Sequence, residues 1–152
     1  MGCSVRLEHE RLDPERELRE LISSSLGAGA VVSFVGLARP LGEQGAVEAL
    51  VLDHHPVLTE QSMSAITDEA LDRFEVRHIR VVHRYGAIAP GEAIVFAGAA
   101  SEHRRAAFEA ADFLMDRLKT DAVFWKREEG PEGRRWIEPS DADYAARDRW
   151  ES

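Results

Sequence analysis

Of the 19 basic residues in the chain, two are lysine, Lys119 and Lys126, and the other 17 are arginine. An arginine-favouring composition accounts for most of the 17, but it leaves open why these two positions are lysine. A desolvated ammonium can release its proton and act as acid, base or nucleophile, which a guanidinium effectively cannot. His103 and Arg104 stand in the first turn of a predicted helix, where free N–H groups and the positive helix end favour an anion. They suit a phosphate cradle; equally, they are polar residues that a helix start presents to solvent. Arg39 closes the apolar run Gly36-Leu37-Ala38-Arg39. It either marks the strand's exit to solvent or directs a cation into a pocket. In Phe124-Trp125-Lys126-Arg127-Glu128, strand alternation puts Phe124, Lys126 and Glu128 on one face and Trp125 and Arg127 on the other. Lys126 and Glu128 then form either a weak surface ion pair or a lysine whose protonation a carboxylate tunes.

Other groups carry less. His54-His55, His78 and His83 lack zinc-site spacing, and Cys3 is the one cysteine, so no metal is expected. There is no phosphate-binding glycine loop, dinucleotide fingerprint or nucleophile elbow.

These side chains need elements to hold them. Val5 and Leu7 suggest a strand. Asp13-Pro14 opens a helix carrying Leu18, Leu21, Ile22 and Leu26, which stops at Gly27. Residues 30–38 read as a buried strand and 40–45 as a loop. Residues 47–54 form a strand expected to pair with the one before it. Thr59 is the expected cap of a helix with Met63, Ile66, Ala70 and Phe74 on one face. Residues 77–84 form a strand, with Ile79 and Val81 on one side and Arg80 and Val82 on the other. Gly86 and Pro90-Gly91 mark a loop. A strand at 93–100 leads to a helix capped by Ser101, with Ala107, Phe108, Ala111, Leu114, Met115 and Leu118 as its apolar stripe. Strands at 123–127 and 135–137 flank a turn at 130–133. The charged stretch 141–150 reads as a further helix. At 1.5 Å per residue the third helix keeps Lys119 ~24 Å from His103 of the same chain. A site using both must be elongated or completed by a second subunit.

The order of elements favours an α+β fold with a mainly antiparallel sheet, in a single domain spanning 1–152. The tail from about 139 to 152 is expected to be mobile or to order on partner binding. Hydrophobic content of 44% and charged content of 31% indicate a soluble globular chain. No apolar run approaches the ~20 residues that cross a bilayer, so no membrane partner is expected. No secretory signal is visible, and a cytoplasmic location is expected. The net charge of −9 argues against general nucleic-acid binding but leaves room for a local anion pocket.

Several of these residues fall into one ordered pattern. Phe34-Val35-Gly36-Leu37-Ala38-Arg39, Leu52-Asp53-His54-His55-Pro56 with Thr59-Glu60, and His83-Arg84-Tyr85-Gly86 with Pro90-Gly91-Glu92 follow one another. His103-Arg104, Ala107-Phe108, Asp116, Leu118-Lys119, Phe124 to Glu128 and Trp136 complete the series. The series resembles the catalytic (large) subunit family of molybdopterin synthase, MoaE, from about Phe34 to Trp136. Departures from the family pattern at Ala38, Asp53, His55 and Val57-Leu58 touch a strand and its following turn.

The resemblance implies an α/β hammerhead fold with additional antiparallel sheet. It implies a sulfurtransferase that moves sulfur to cyclic pyranopterin monophosphate, forming the molybdopterin dithiolene, with no cofactor of its own. The implied donor is a small ubiquitin-like carrier with a C-terminal Gly-Gly thiocarboxylate, and the implied assembly is a homodimer within a heterotetramer. The implied catalytic residues are Lys119 and Lys126. Leu37, Ala38, Arg39, His103, Arg104, Arg127 and Glu128 join them in substrate binding. A non-catalytic docking module for a ubiquitin-like tail is the alternative. It would need a groove, but not the two lysines.

Overall fold

The computed structural model describes residues 2–42 and 45–151, so part of the expected 40–45 loop and the last residue of the tail lie outside it. In chain order the elements are β1 Gly2–Glu8, α1 Pro14–Ser23, β2 Ala30–Leu37, β3 Leu41–Gly42, β4 Gly45–Ala46, β5 Ala49–His54 and α2 Leu58–Arg73. There follow β6 Val76–Arg84, β7 Gly86–Ile88, β8 Ala93–Ser101, α3 Arg104–Asp121, β9 Phe124–Gly130, β10 Gly133–Ile137, α4 Asp141–Asp148 and a 3-10 turn at Arg149–Glu151. No helix among the described residues is long and apolar enough to cross a membrane.

Two four-stranded sheets form. The first has the order β1-β6-β8-β2 and the second β10-β9-β5-β7. Only β1 and β6 pair in parallel within these sheets; every other pair is antiparallel. The expected pairing of 47–54 with the strand before it does not form. That earlier strand, β2, pairs with β8, while β5 pairs with β7 and β9. β3 and β4, which lie between β2 and β5 in the chain, pair with each other antiparallel. Sequence adjacency suggested a ribbon, but pairing is decided by which partners cover both strands, and those arrive later in the chain.

The first sheet is covered on both faces. Met63, Ile66 and Ala70 of α2 and Ala110, Phe113, Leu114 and Leu118 of α3 pack against Ile79, Val81, Val95, Ala97 and Ala99. On the other face Leu21 of α1 packs against Val82, Phe96 and Ala100. Burial on both faces explains why β8 is almost continuously apolar rather than alternating. Arg80, on the α1 face, meets Glu17, which also pairs with Arg6; Nη2–O distances are 2.8 and 2.9 Å. This buried carboxylate was not legible from the helical stripe around Leu18 and Leu21.

Helix starts differ from expectation in a consistent way. Asp13 caps α1 as expected, accepting from Glu15 N and Arg16 N. At α2, however, the acceptor is His55 Nδ1, which receives Val57 N and Leu58 N at 3.1 and 3.0 Å. Thr59 is buried inside the helix, and its hydroxyl donates to Val123 O. At α3 the cap position is His103, and the Ser101 hydroxyl donates to His103 O. The Thr59 hydroxyl is taken by a carbonyl distant in the chain, and the Ser101 hydroxyl by the carbonyl two residues on. Three stripe residues also differ, Ile22 of α1 being 53% exposed. Leu26 lies beyond the end of α1 and is 89% exposed, and Phe108 is 58% exposed. β2 is an edge strand with Phe34 and Leu37 exposed, not a buried one.

Candidate functional site

The turn between α3 and β9 brings the two lysines together. Lys119 occupies the last turn of α3, and only Ala122 and Val123 separate the helix from β9. This turn is pinned from α2: Thr59 donates to Val123 O, and Val123 N donates to Ser62 Oγ at 3.1 Å. Lys126 sits opposite Leu52 of β5 and Ile137 of β10. Lys119, Lys126, Leu118, Phe124, Ile137 and Tyr144 line a cleft of about 180 Å³, closed by Glu138, Pro139 and Asp143. That is below the ~300–1,000 Å³ of ordinary small-molecule sites. The cleft is therefore sized for reacting groups rather than for a whole ligand of that class.

The electrostatics of the cleft are specific. Burial, followed by repulsion from Lys119, draws the Lys126 ammonium below its ordinary pKa, and Asp143 opposes the shift. Lys126 is thus the more readily deprotonated for being half-buried beside a like charge. Behind the cleft, the His83 ring stacks on Phe124 with centroids 4.1 Å apart. His83 Nδ1 lies 2.9 Å from Arg84 O, and since a carbonyl only accepts, Nδ1 carries the proton. Burial, with the Lys126 charge adding to it, lowers the His83 pKa to about 4 against the opposing Arg84 hydrogen bond.

The remaining candidates lie elsewhere. His103 lines a separate, open cleft of about 910 Å³ with Arg77, His78 and Glu102, at the opposite end of α3 from Lys119. Its side chain makes no capping bond, and Arg104 beside it is exposed. Arg127 points to the far face of β9, where it meets Asp53 at 3.3 Å and the Trp136 ring at 5.6 Å. Glu128 pairs with Arg135 at 3.3 Å and lies against Gly42, where an added Cβ would approach its carboxylate oxygens to 2.5 Å. Leu37 and Arg39 are exposed at the end of β2. Between them Ala38 is buried with Leu52 and Ile88, a cluster that also receives Phe124.

Sequence reasoning missed the cleft's lid. Asp143 and Ser140 form a reciprocal capping box, with Asp143 N donating to Ser140 Oγ at 3.1 Å and Ser140 N to Asp143 Oδ2 at 2.9 Å. The pattern Ser-x-x-Asp before a helix was a readable signal for α4. That α4 lands on the lysines was not readable. It depends on distant ion pairs from Arg147 to Asp121 and from Arg149 to Asp116, and on Trp150 stacked edge-on against Phe74 and Phe113.

The chain is similar to known proteins along most of its length. The model of the MoaE protein family matches residues 7–121. The molybdopterin synthase catalytic subunit of Pseudomonas aeruginosa is 44% identical over 148 residues, covering 97% of this chain and 99% of that protein. That of Caulobacter vibrioides is 53% identical over 123 residues, 81% of each. Among solved structures, the molybdopterin biosynthesis MoaE protein of Burkholderia ambifaria superposes with a TM-score of 0.84 at 35% identity, covering 99% of both chains. Molybdopterin synthase from Staphylococcus aureus superposes with a TM-score of 0.79 at 25% identity, covering 86% of this chain and 94% of that one. With a family model matching most of its length and relatives of this similarity aligned nearly end to end, the chain belongs to the MoaE family.

Proposed function

We propose that this chain transfers sulfur from the C-terminal thiocarboxylate of a small ubiquitin-like carrier to cyclic pyranopterin monophosphate, with Lys119 and Lys126 at the chemical centre. Its role as the catalytic subunit of a molybdopterin synthase, in molybdenum cofactor biosynthesis, follows from its family. The observation that supports the site is the convergence of the chain's two lysines on one small cleft. Lys119, the more exposed, is placed to meet the carbonyl of an incoming donor tail and to polarise it or exchange a proton with it. Lys126, half-buried and more easily deprotonated, serves the pterin side, where charge develops and oxygen is lost.

The phosphate falls to His103, Arg104 and Arg39 through charge-assisted hydrogen bonds. The lysine cleft and the His103 cleft lie at opposite ends of α3, so one site uses both only if a second copy supplies His103 and Arg104. The homodimer is supported by the open edge of β2 with exposed Phe34 and Leu37, and by exposed Leu26 and Phe108. Arg127 and Glu128 flank the site from β9 through Trp136 and Arg135.

The test is reconstitution. Purified protein, a thiocarboxylated carrier and the pterin precursor should yield molybdopterin. Carrier binding without any product would instead establish a docking module.

A further inference from the structure

The lysine cleft contains an acidic side chain to which the reading above assigns no part. Lys119 and Lys126 share a cleft whose described lining also holds two carboxylates, Glu138 and Asp143. Glu138 is exposed, whereas Asp143 is half-buried and held by both arms of its capping box with Ser140. The helix that carries it is fastened down by Arg147 to Asp121, Arg149 to Asp116, and the Trp150 Nε1–H donated to Asp116 Oδ2 at 2.8 Å. Two ammonium groups lining about 180 Å³ repel one another, and a carboxylate fixed in the lining of the same cleft offsets that repulsion.

We propose that Asp143 is a positioning residue of the lysine cleft, its carboxylate being the counter-charge that keeps the Lys119 and Lys126 ammonium groups together in the absence of an anionic substrate. The proposal rests on the assignment of these lysines as the site. The mutual electrostatics agree. Burial pushes the Asp143 carboxyl up, but the Ser140 hydrogen bonds and both lysines bring it below the usual carboxylate value. In the other direction, Asp143 is the group that raises Lys126 against burial and Lys119.

Other charged groups face Lys126 from each neighbouring element. They are Lys119 from α3, His83 from β6, Glu138 after β10, and Glu128 on its own strand, where it is engaged by Arg135. His83 is neutral near pH 7, and Glu128 is already paired, so Asp143 is the fixed charge on which the lysine pair depends.

The chain's having only two lysines makes the test direct, because selective lysine labelling yields two side-chain signals. With lysine labelled in 13C and 15N, the pH titration of each Cε is followed in the full chain. In Asp143→Asn the Asn oxygen still accepts from Ser140 N, so α4 stays capped while the charge is lost. The Lys126 midpoint should then fall by about one pH unit, and Asp143→Glu should restore most of it. In sulfur transfer, Asp143→Asn should shift the alkaline limb of the pH profile downward by a similar amount. Unchanged lysine midpoints in Asp143→Asn, with α4 still ordered by its amide signals, would overturn the proposal. That result would leave the lysine site itself intact, since loss of activity in lysine variants tests the site separately.

Discussion

The two ends of α3 carry the two groups of proposed site residues in opposite settings. At its C-terminal end two lysines sit in a narrow cleft, closed by the chain's own tail and faced by the Asp143 carboxylate. At its N-terminal end His103 lines an open cleft about five times larger, with Arg104 exposed beside it. The difference fits the part proposed for each group. A lysine becomes chemically useful when burial weakens its hold on a proton, so it needs walls. Holding a phosphate needs permanent charge and free N–H groups, which remain effective at a surface and can be completed by another chain.

The contrast breaks most visibly at Lys119. Lys119→Ala should lower dithiolene formation by roughly 10²–10⁴-fold with the fold unchanged by circular dichroism, the range expected for a lost acid–base or polarising group. Lys126→Arg keeps the charge and removes easy proton transfer. A loss of roughly 10²-fold in kcat would sharpen the distinction between the clefts, and full activity would show that charge alone suffices there. His103→Ala should act differently. It should raise KM for the pterin precursor by roughly tenfold, through loss of a charge-assisted hydrogen bond, with a small change in kcat.

The smallest effect concerns stability. His83 has a folded pKa of about 4 against an ordinary 6.5, so between these values the unfolded chain binds a proton that the folded chain refuses. Stability from this residue is complete above pH 6.5 and falls as the pH drops towards 4, by about 3 kcal/mol over the window. Urea unfolding of wild type and His83→Gln at pH 7 and pH 4 should show the wild type losing that much more than the variant.

The sequence carried a large part of this. The alternation of Ile79 and Val81 against Arg80 and Val82 correctly assigned two faces of β6, because period-2 patterning is a local property. The Asp13-Pro14 helix start was readable for the same reason. Thr59 misled because its hydroxyl bonds the distant Val123 carbonyl, which propensity cannot register, and Ser101 because its hydroxyl bonds the His103 carbonyl two residues on instead of a helix N–H. The lysines were singled out by residue type alone, but their shared cleft depends on a turn pinned by α2. Asp143 was invisible because it reaches the cleft only through Arg147, Arg149 and Trp150, each paired with a residue of another helix.

Whether the two clefts belong to one site is decided by mixing variants. Lys119→Ala and His103→Ala chains, each impaired alone when assayed at pterin precursor concentrations below KM, would be co-refolded so that they pair at random and assayed under the same conditions. If each site draws its lysines from one chain and His103 from the other, mixed dimers contain one intact site, and sulfur transfer should recover to about a quarter of wild type. Activity no greater than the average of the two separate variants would contradict the two-chain site.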